Sequence, residues 1–157
     1  MSDQNSFYSQ WAPRMLSVLR IVAALLLMQH GAQKLFGVPA APPPPPQQQV
    51  VQQNAPQQQA AQQPPRTPPL MLVAGTLELF GGLLLLFGLF TRPVAFILSG
   101  LLAVAYFMAH APQGFWPVLN KGELAALYSF VFLYLAVAGG GPWSIDHLWR
   151  RGAAARL

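Results

Sequence analysis

The residues of this chain able to do acid–base chemistry are few, and most of them interrupt or border apolar runs. His30 and Lys34 close the first run, Glu78 is the lone charge within the second, His110 ends the third and Glu123 opens the fourth. An ionisable group within a bilayer costs at least ~2.5–3.5 kcal/mol, so each such residue demands an account. At ~100° per residue, an ideal helix sets His30 and Lys34 about 40° apart and Arg20 about 40° beyond Lys34, all on one face. Gln29 and Gln33 lie beside it. A rise of ~1.5 Å per residue puts His30 ~9 Å in from Phe36 and Glu78 ~12 Å in from Leu70. Lys34, His110, Lys121 and Glu123 fall near the same boundary, so the polar groups converge on one half of the molecule. The other half holds only Arg20 below its surface. The chemistry this suits is proton exchange by His30 and Glu78, the candidate catalytic pair, with Lys34 stabilising an anionic oxygen. Lys34, Tyr106, His110 and Glu123 are the candidate ligand-binding residues, and Arg20 and Arg92 are read as structural and topological. His30, Glu78 and His110 are also zinc- or iron-type ligands, but no pair has HxxxH or ExxH spacing, and no metal site is assigned.

The same residues have a plainer use. Glu78 and Lys34 could neutralise each other and do no more than set helix register. His30 could be a neutral, hydrogen-bonded histidine, and Arg20 and Lys34 could reach towards the two interfaces. Tyr106 and Tyr134 suit packing better than electron transfer.

The elements that must position these residues follow from the apolar blocks 15–28, 70–90, 94–109 and 124–138. Extended to their natural stops, each reaches the ~17–25 residues that cross a ~30 Å hydrocarbon core, several only just. The expected fold is therefore all-α: a four-transmembrane-helix bundle with helices at about 14–36, 70–90, 93–110 and 122–138, read as a single membrane domain over 1–157. Segment 14–41 could be mistaken for a secretory signal, but 29–34 is too polar for a cleavage region. Residues 38–69 are rich in Pro and Gln and have no apolar face to bury, so a disordered or polyproline-like loop is expected there. Thr91-Arg92-Pro93 makes a tight turn with proline in the first helical turn, and Gly139-Gly140-Gly141-Pro142 ends the fourth helix.

With 54% hydrophobic and 8% charged residues, the chain has too little charge to cover a water-facing globule. It has no cysteine, which excludes disulfides, thiolate catalysis and cysteine-ligated clusters within it. The net charge of +5 is scattered, with no basic module of the kind that binds nucleic acid. Arg14, Arg20, Arg92, Arg150, Arg151 and Arg156 fall on one side, and Lys34, Arg66 and Lys121 on the other. The positive-inside rule then puts both termini in the cytoplasm and the Pro/Gln loop outside.

Arg20 with His30-Gly31-x-x-Lys34-Leu35-Phe36-Gly37 resembles the first-helix signature of the DoxX family of bacterial membrane proteins. Glu78-Leu79-Phe80-Gly81-Gly82 and Leu89-Phe90-Thr91-Arg92 are similar to its second helix. His110-Ala111-Pro112-Gln113-Gly114-Phe115-Trp116, Gly122-Glu123-Leu124, Leu133-Tyr134-Leu135-Ala136 and 139–146 are similar to its third and fourth. The resemblance implies a four-helix inner-membrane bundle and a link to membrane oxidoreductase systems, among them a thiosulfate:quinone oxidoreductase subunit and defence against superoxide and thiol stress. The matching polar positions are Arg20, His30, Lys34, Glu78, Arg92, His110 and Glu123. The Pro/Gln loop departs from the longer, glycine-rich segment that many such proteins carry there.

Two functions compete. The first is a redox subunit binding a quinone or small phenolic ligand among the outer polar residues, with electrons supplied by a partner protein; it expects a cavity lined by these side chains. The second is a non-catalytic accessory or scaffold subunit, which expects Glu78 and Lys34 in direct contact and no cavity. A small-molecule transporter is a weaker third, since four helices without an inverted repeat would have to oligomerise.

Overall fold

A computed structural model describes residues 2–40 and 69–154. The expected disordered loop lies almost wholly outside the described residues, as do Arg66 and Arg156 of the charge comparison. Among the described residues there is helix and turn but no strand.

The first helix, α1 (Ser2–Phe36), begins well before the expected start near residue 14. Proline 13 lacks an N–H and so removes one helical hydrogen bond, a loss that a long helix survives. Phe7, Tyr8 and Trp11 make ring contacts along the added turns, and the Arg14 guanidinium lies over the Trp11 ring at 5.1 Å. The second, α2 (Pro69–Phe87), stops short of residue 90 because Gly88 takes a left-handed φ of 68°. The Gly88 N–H then donates to the Leu85 carbonyl (3.0 Å) and the Leu89 N–H to the Leu84 carbonyl (2.9 Å), closing the helix end.

Helix α3 (Thr91–Ala105) continues through a π-helical turn (Tyr106–His110) into a 3₁₀ turn (Ala111–Gln113). A short α4 (Pro117–Asn120) leads into α5 (Glu123–Ala138), and the last described element is α6 (Ile145–Ala154), a helix beyond the four expected.

Three stretches, Ser6–Phe36, Pro69–Phe87 and Thr91–Gln113, are long and apolar enough to cross a membrane. The expected fourth span, α5, is equally apolar but only 16 residues long. That gives about 24 Å of helix, somewhat less than the hydrocarbon thickness.

Helix α1 packs along α2, α3 along α5, and α2 against α3. Close approach of α1 and α2 depends on glycine: a Cβ on Gly31 would lie 2.6 Å from the Leu79 nitrogen and 2.8 Å from the Gly75 carbonyl oxygen. Small residues permit such backbone contact between helices in membranes. Ala24, Leu27, Leu85, Ala95, Leu98, Phe132 and Leu135 form the centre of the core. Phe80, Phe96, Phe107, Phe130 and Val137 point outwards, far more apolar surface than water tolerates.

Candidate functional site

Glycine contact between α1 and α2 brings Lys34 against Glu78. The Lys34 ammonium donates to Glu78 Oε1, and the Glu78 side chain is 3% exposed against 30% for Lys34. The second carboxylate oxygen, Oε2, is buried with no hydrogen-bond partner among the described residues.

Next to this pair is a cavity of about 310 Å³. Its polar lining is His30, Lys34, Glu78, His110, Lys121 and Tyr128; Leu27, Leu102 and Leu124 are among its apolar walls. Thus α1, α2, the end of α3 and the start of α5 each contribute. The cavity is at the small end of the range for ligand sites and has their usual mixture of apolar wall and few polar groups.

The π-helical turn carries His110 to the cavity, and π-helical turns recur where helices are bent for function. His110 Nδ1 lies 3.0 Å from the Asn120 carbonyl oxygen. A carbonyl can only accept, so Nδ1 carries a proton, and in the neutral ring Nε2 is left as an acceptor. Tyr106 stacks on His110 with ring centroids 6.4 Å apart. Buried Asn120 secures the turn below: its amide donates to the Gly114 carbonyl, and its side-chain oxygen accepts the Gly122 N–H, both at 2.8 Å. Gly122 is needed there, because a Cβ would come within 2.6 Å of the Tyr106 ring.

Of the residues singled out from sequence, His30, Lys34, Glu78 and His110 share the cavity, and Tyr106 supports it from behind. Glu123 does not reach it. It is exposed and borders a separate open depression with Val118, Lys121 and Leu127. Phe130 and Tyr134, which helical spacing puts on the same face of α5 as Glu123, are 70% and 56% exposed, so that face points outwards. The buried face of α5 is instead Tyr128, Phe132 and Leu135, and Tyr128 is the cavity residue that sequence reasoning missed. The i, i+4 spacing of Tyr128 and Phe132, whose rings stack at 5.6 Å, was the available signal. Gln29 and Gln33 are exposed. Among the described residues no three His, Asp or Glu side chains converge as a metal site.

Arg20 does not reach for an interface. It is fully buried at the other end of the bundle. Its Nε donates to the Gly140 carbonyl (2.9 Å), one terminal nitrogen to the Leu85 and Leu86 carbonyls, and the other to that of Trp143 (2.6 Å). Carbonyls at the end of α2 lack helical partners, and a cation there also suits the helix dipole. Alongside, the Asp146 carboxylate accepts the Phe90 and Thr91 N–H groups at 2.9 and 2.8 Å, capping α3.

Residues 15–111 match the model of the DoxX family. An uncharacterized protein of Haemophilus influenzae is 38% identical over 141 residues, covering 88% of this chain and 92% of its own. A second uncharacterized protein of the same organism is 35% identical over 74 residues, 47% of this chain and 49% of its own. No solved structure matches.

Proposed function

The chain belongs to the DoxX family and is an integral membrane protein, and from that premise we propose that it is a subunit of a membrane oxidoreductase system that binds a quinone or small phenolic ligand. On this reading α5 is the fourth span of a bundle in the bacterial inner membrane, with both termini cytoplasmic and the cavity in the outer half. The observation that carries it is the cavity itself, in which Glu78 offers an unpaired buried oxygen beside His30, His110 and Lys34. A carbonyl or hydroxyl oxygen of the ligand meets Lys34 and the histidines, and a ligand hydroxyl donates to Glu78 Oε2. A quinone takes up electrons and protons in equal number on reduction. Glu78 and His30 relay the protons, and a partner protein supplies the electrons, since the chain has no cysteine to carry them.

A second reading, an accessory or scaffold subunit, draws on the direct Lys34–Glu78 ion pair. The two readings separate in a quinone titration on purified protein in detergent, comparing wild type with His30→Ala and Glu78→Gln. The expected outcome is saturable binding by wild type, weakened at least tenfold in each variant while both remain folded. If wild type fails to bind and the variants melt at lower temperature, the charges serve packing and the scaffold reading replaces the first.

A further inference from the structure

At the end of the molecule remote from the His30–Glu78 cavity, the α2–α3 turn and α6 enclose a second depression of about 350 Å³, with Phe90, Arg92, Asp146, Trp149 and Arg150 in its walls. Its charges are unevenly committed. Both Asp146 oxygens are taken by the Phe90 and Thr91 N–H groups. Arg92 is exposed and has no hydrogen-bond or ion-pair partner among the described residues, its Nε passing over Gly139, where a Cβ would lie 3.5 Å away. Among the described residues Arg150 uses only its Nε, which donates to the Asp146 carbonyl at 3.2 Å, and its terminal nitrogens have no partner there. Two guanidinium groups thus border a space whose one carboxylate is already satisfied.

The apolar part of the depression is equally distinctive. Phe90 and Trp149 meet edge to face at 6.2 Å, yet stay 56% and 58% exposed. On α6, Ile145, Leu148 and Trp149 follow i, i+3, i+4 spacing, with Arg150 and Arg151 beside them. That is the pattern of a helix lying in the membrane interface. Beyond Arg92, α3 presents Phe96 and Ile97, 66% and 54% exposed, as an apolar track leading away from the arginines.

We infer that this depression is a binding site for the headgroup of an anionic phospholipid. Arg92 and Arg150 hold the phosphate, since the planar guanidinium matches phosphate oxygens in a paired geometry. Phe90 and Trp149 meet the glycerol region, and the acyl chains run along Phe96 and Ile97. A free phosphate would satisfy the arginines but leave the aromatic wall and the apolar track without an occupant. Basic pockets on the positive side of membrane proteins are suited to such headgroups. The inference does not depend on the quinone reading.

The test is the thermal stability of the full chain in detergent, titrated with phosphatidylglycerol, phosphatidylcholine or inorganic phosphate. Phosphatidylglycerol should raise the melting temperature saturably, and the other two should not. Arg92→Gln/Arg150→Gln should raise the concentration needed at least tenfold, whereas Arg151→Gln, which removes a charge outside the depression, should leave it unchanged. If the glutamine pair does not fold, Arg92→Lys/Arg150→Lys keeps the charge and should still weaken the response several-fold. Equal responses to both lipids, an equal effect of phosphate, or equal losses in Arg151→Gln and the double variant would each overturn the site in favour of unspecific attraction.

Discussion

Arg20 is the largest fully buried side chain among the described residues. Four of its N–H groups go to main-chain carbonyls of α2 and of the turn after α5. Replacing it strands those carbonyls, and each buried polar group left unmatched costs about 1–3 kcal/mol. Arg20→Met should therefore lower stability by roughly 3 kcal/mol or more. Arg20→Lys should recover only part of this, because an ammonium has three donors and no planar fork. Thermal melting in detergent checks both, and quinone binding by any folded Arg20→Lys should persist, since Arg20 lines no part of the cavity. Sequence spacing set Arg20 on the same helix face as His30 and Lys34, which is where it lies. Its partners could not be read, because main-chain carbonyls of distant turns carry no mark in side-chain type.

Among the elements, the α1–α2 contact decides whether a site exists. Gly31 stands against the backbone of α2, so a larger side chain must push the helices apart. Gly31→Val should cost about 1–3 kcal/mol by overpacking. It should also separate Lys34 from Glu78 and lower quinone affinity more than it lowers stability. Parallel titration and melting of this one variant measure both effects. Helix α5 teaches the opposite lesson about faces. With apolar residues all round, its sequence did not say which side turns inward, and the polar marks Glu123 and Tyr134 pointed to the exposed one. Helix α1, with three charged or ionisable residues on one stripe, left no such choice.

For the molecule as a whole, the arginines among the described residues gather at the end formed by the α2–α3 turn and α6, and the cavity opens at the other. The positive-inside rule then predicts that the arginine-bearing end faces the cytoplasm. Because the chain has no cysteine, single replacements report orientation without interference. In intact cells a membrane-impermeant thiol reagent should label Gln113→Cys, and it should reach Arg151→Cys only after permeabilisation. Labelling in the reverse pattern would invert the topology and put the quinone cavity on the cytoplasmic side.

The sequence by itself determined that the chain is helical, apolar in long blocks and suited to a membrane, because hydropathy and helical period are properties of neighbouring residues. It also determined that His30, Lys34 and Arg20 share a face, since at ~100° per residue their separations within one helix settle that locally. Only the tertiary structure decided that Lys34 meets Glu78, 44 residues away, and that Arg20 reaches Gly140, 120 residues away. It alone turned Tyr128 inwards and Glu123 out. Those outcomes depend on which helix backbones can approach closely enough, a condition met where Gly31 faces Gly75, and no local pattern expresses it.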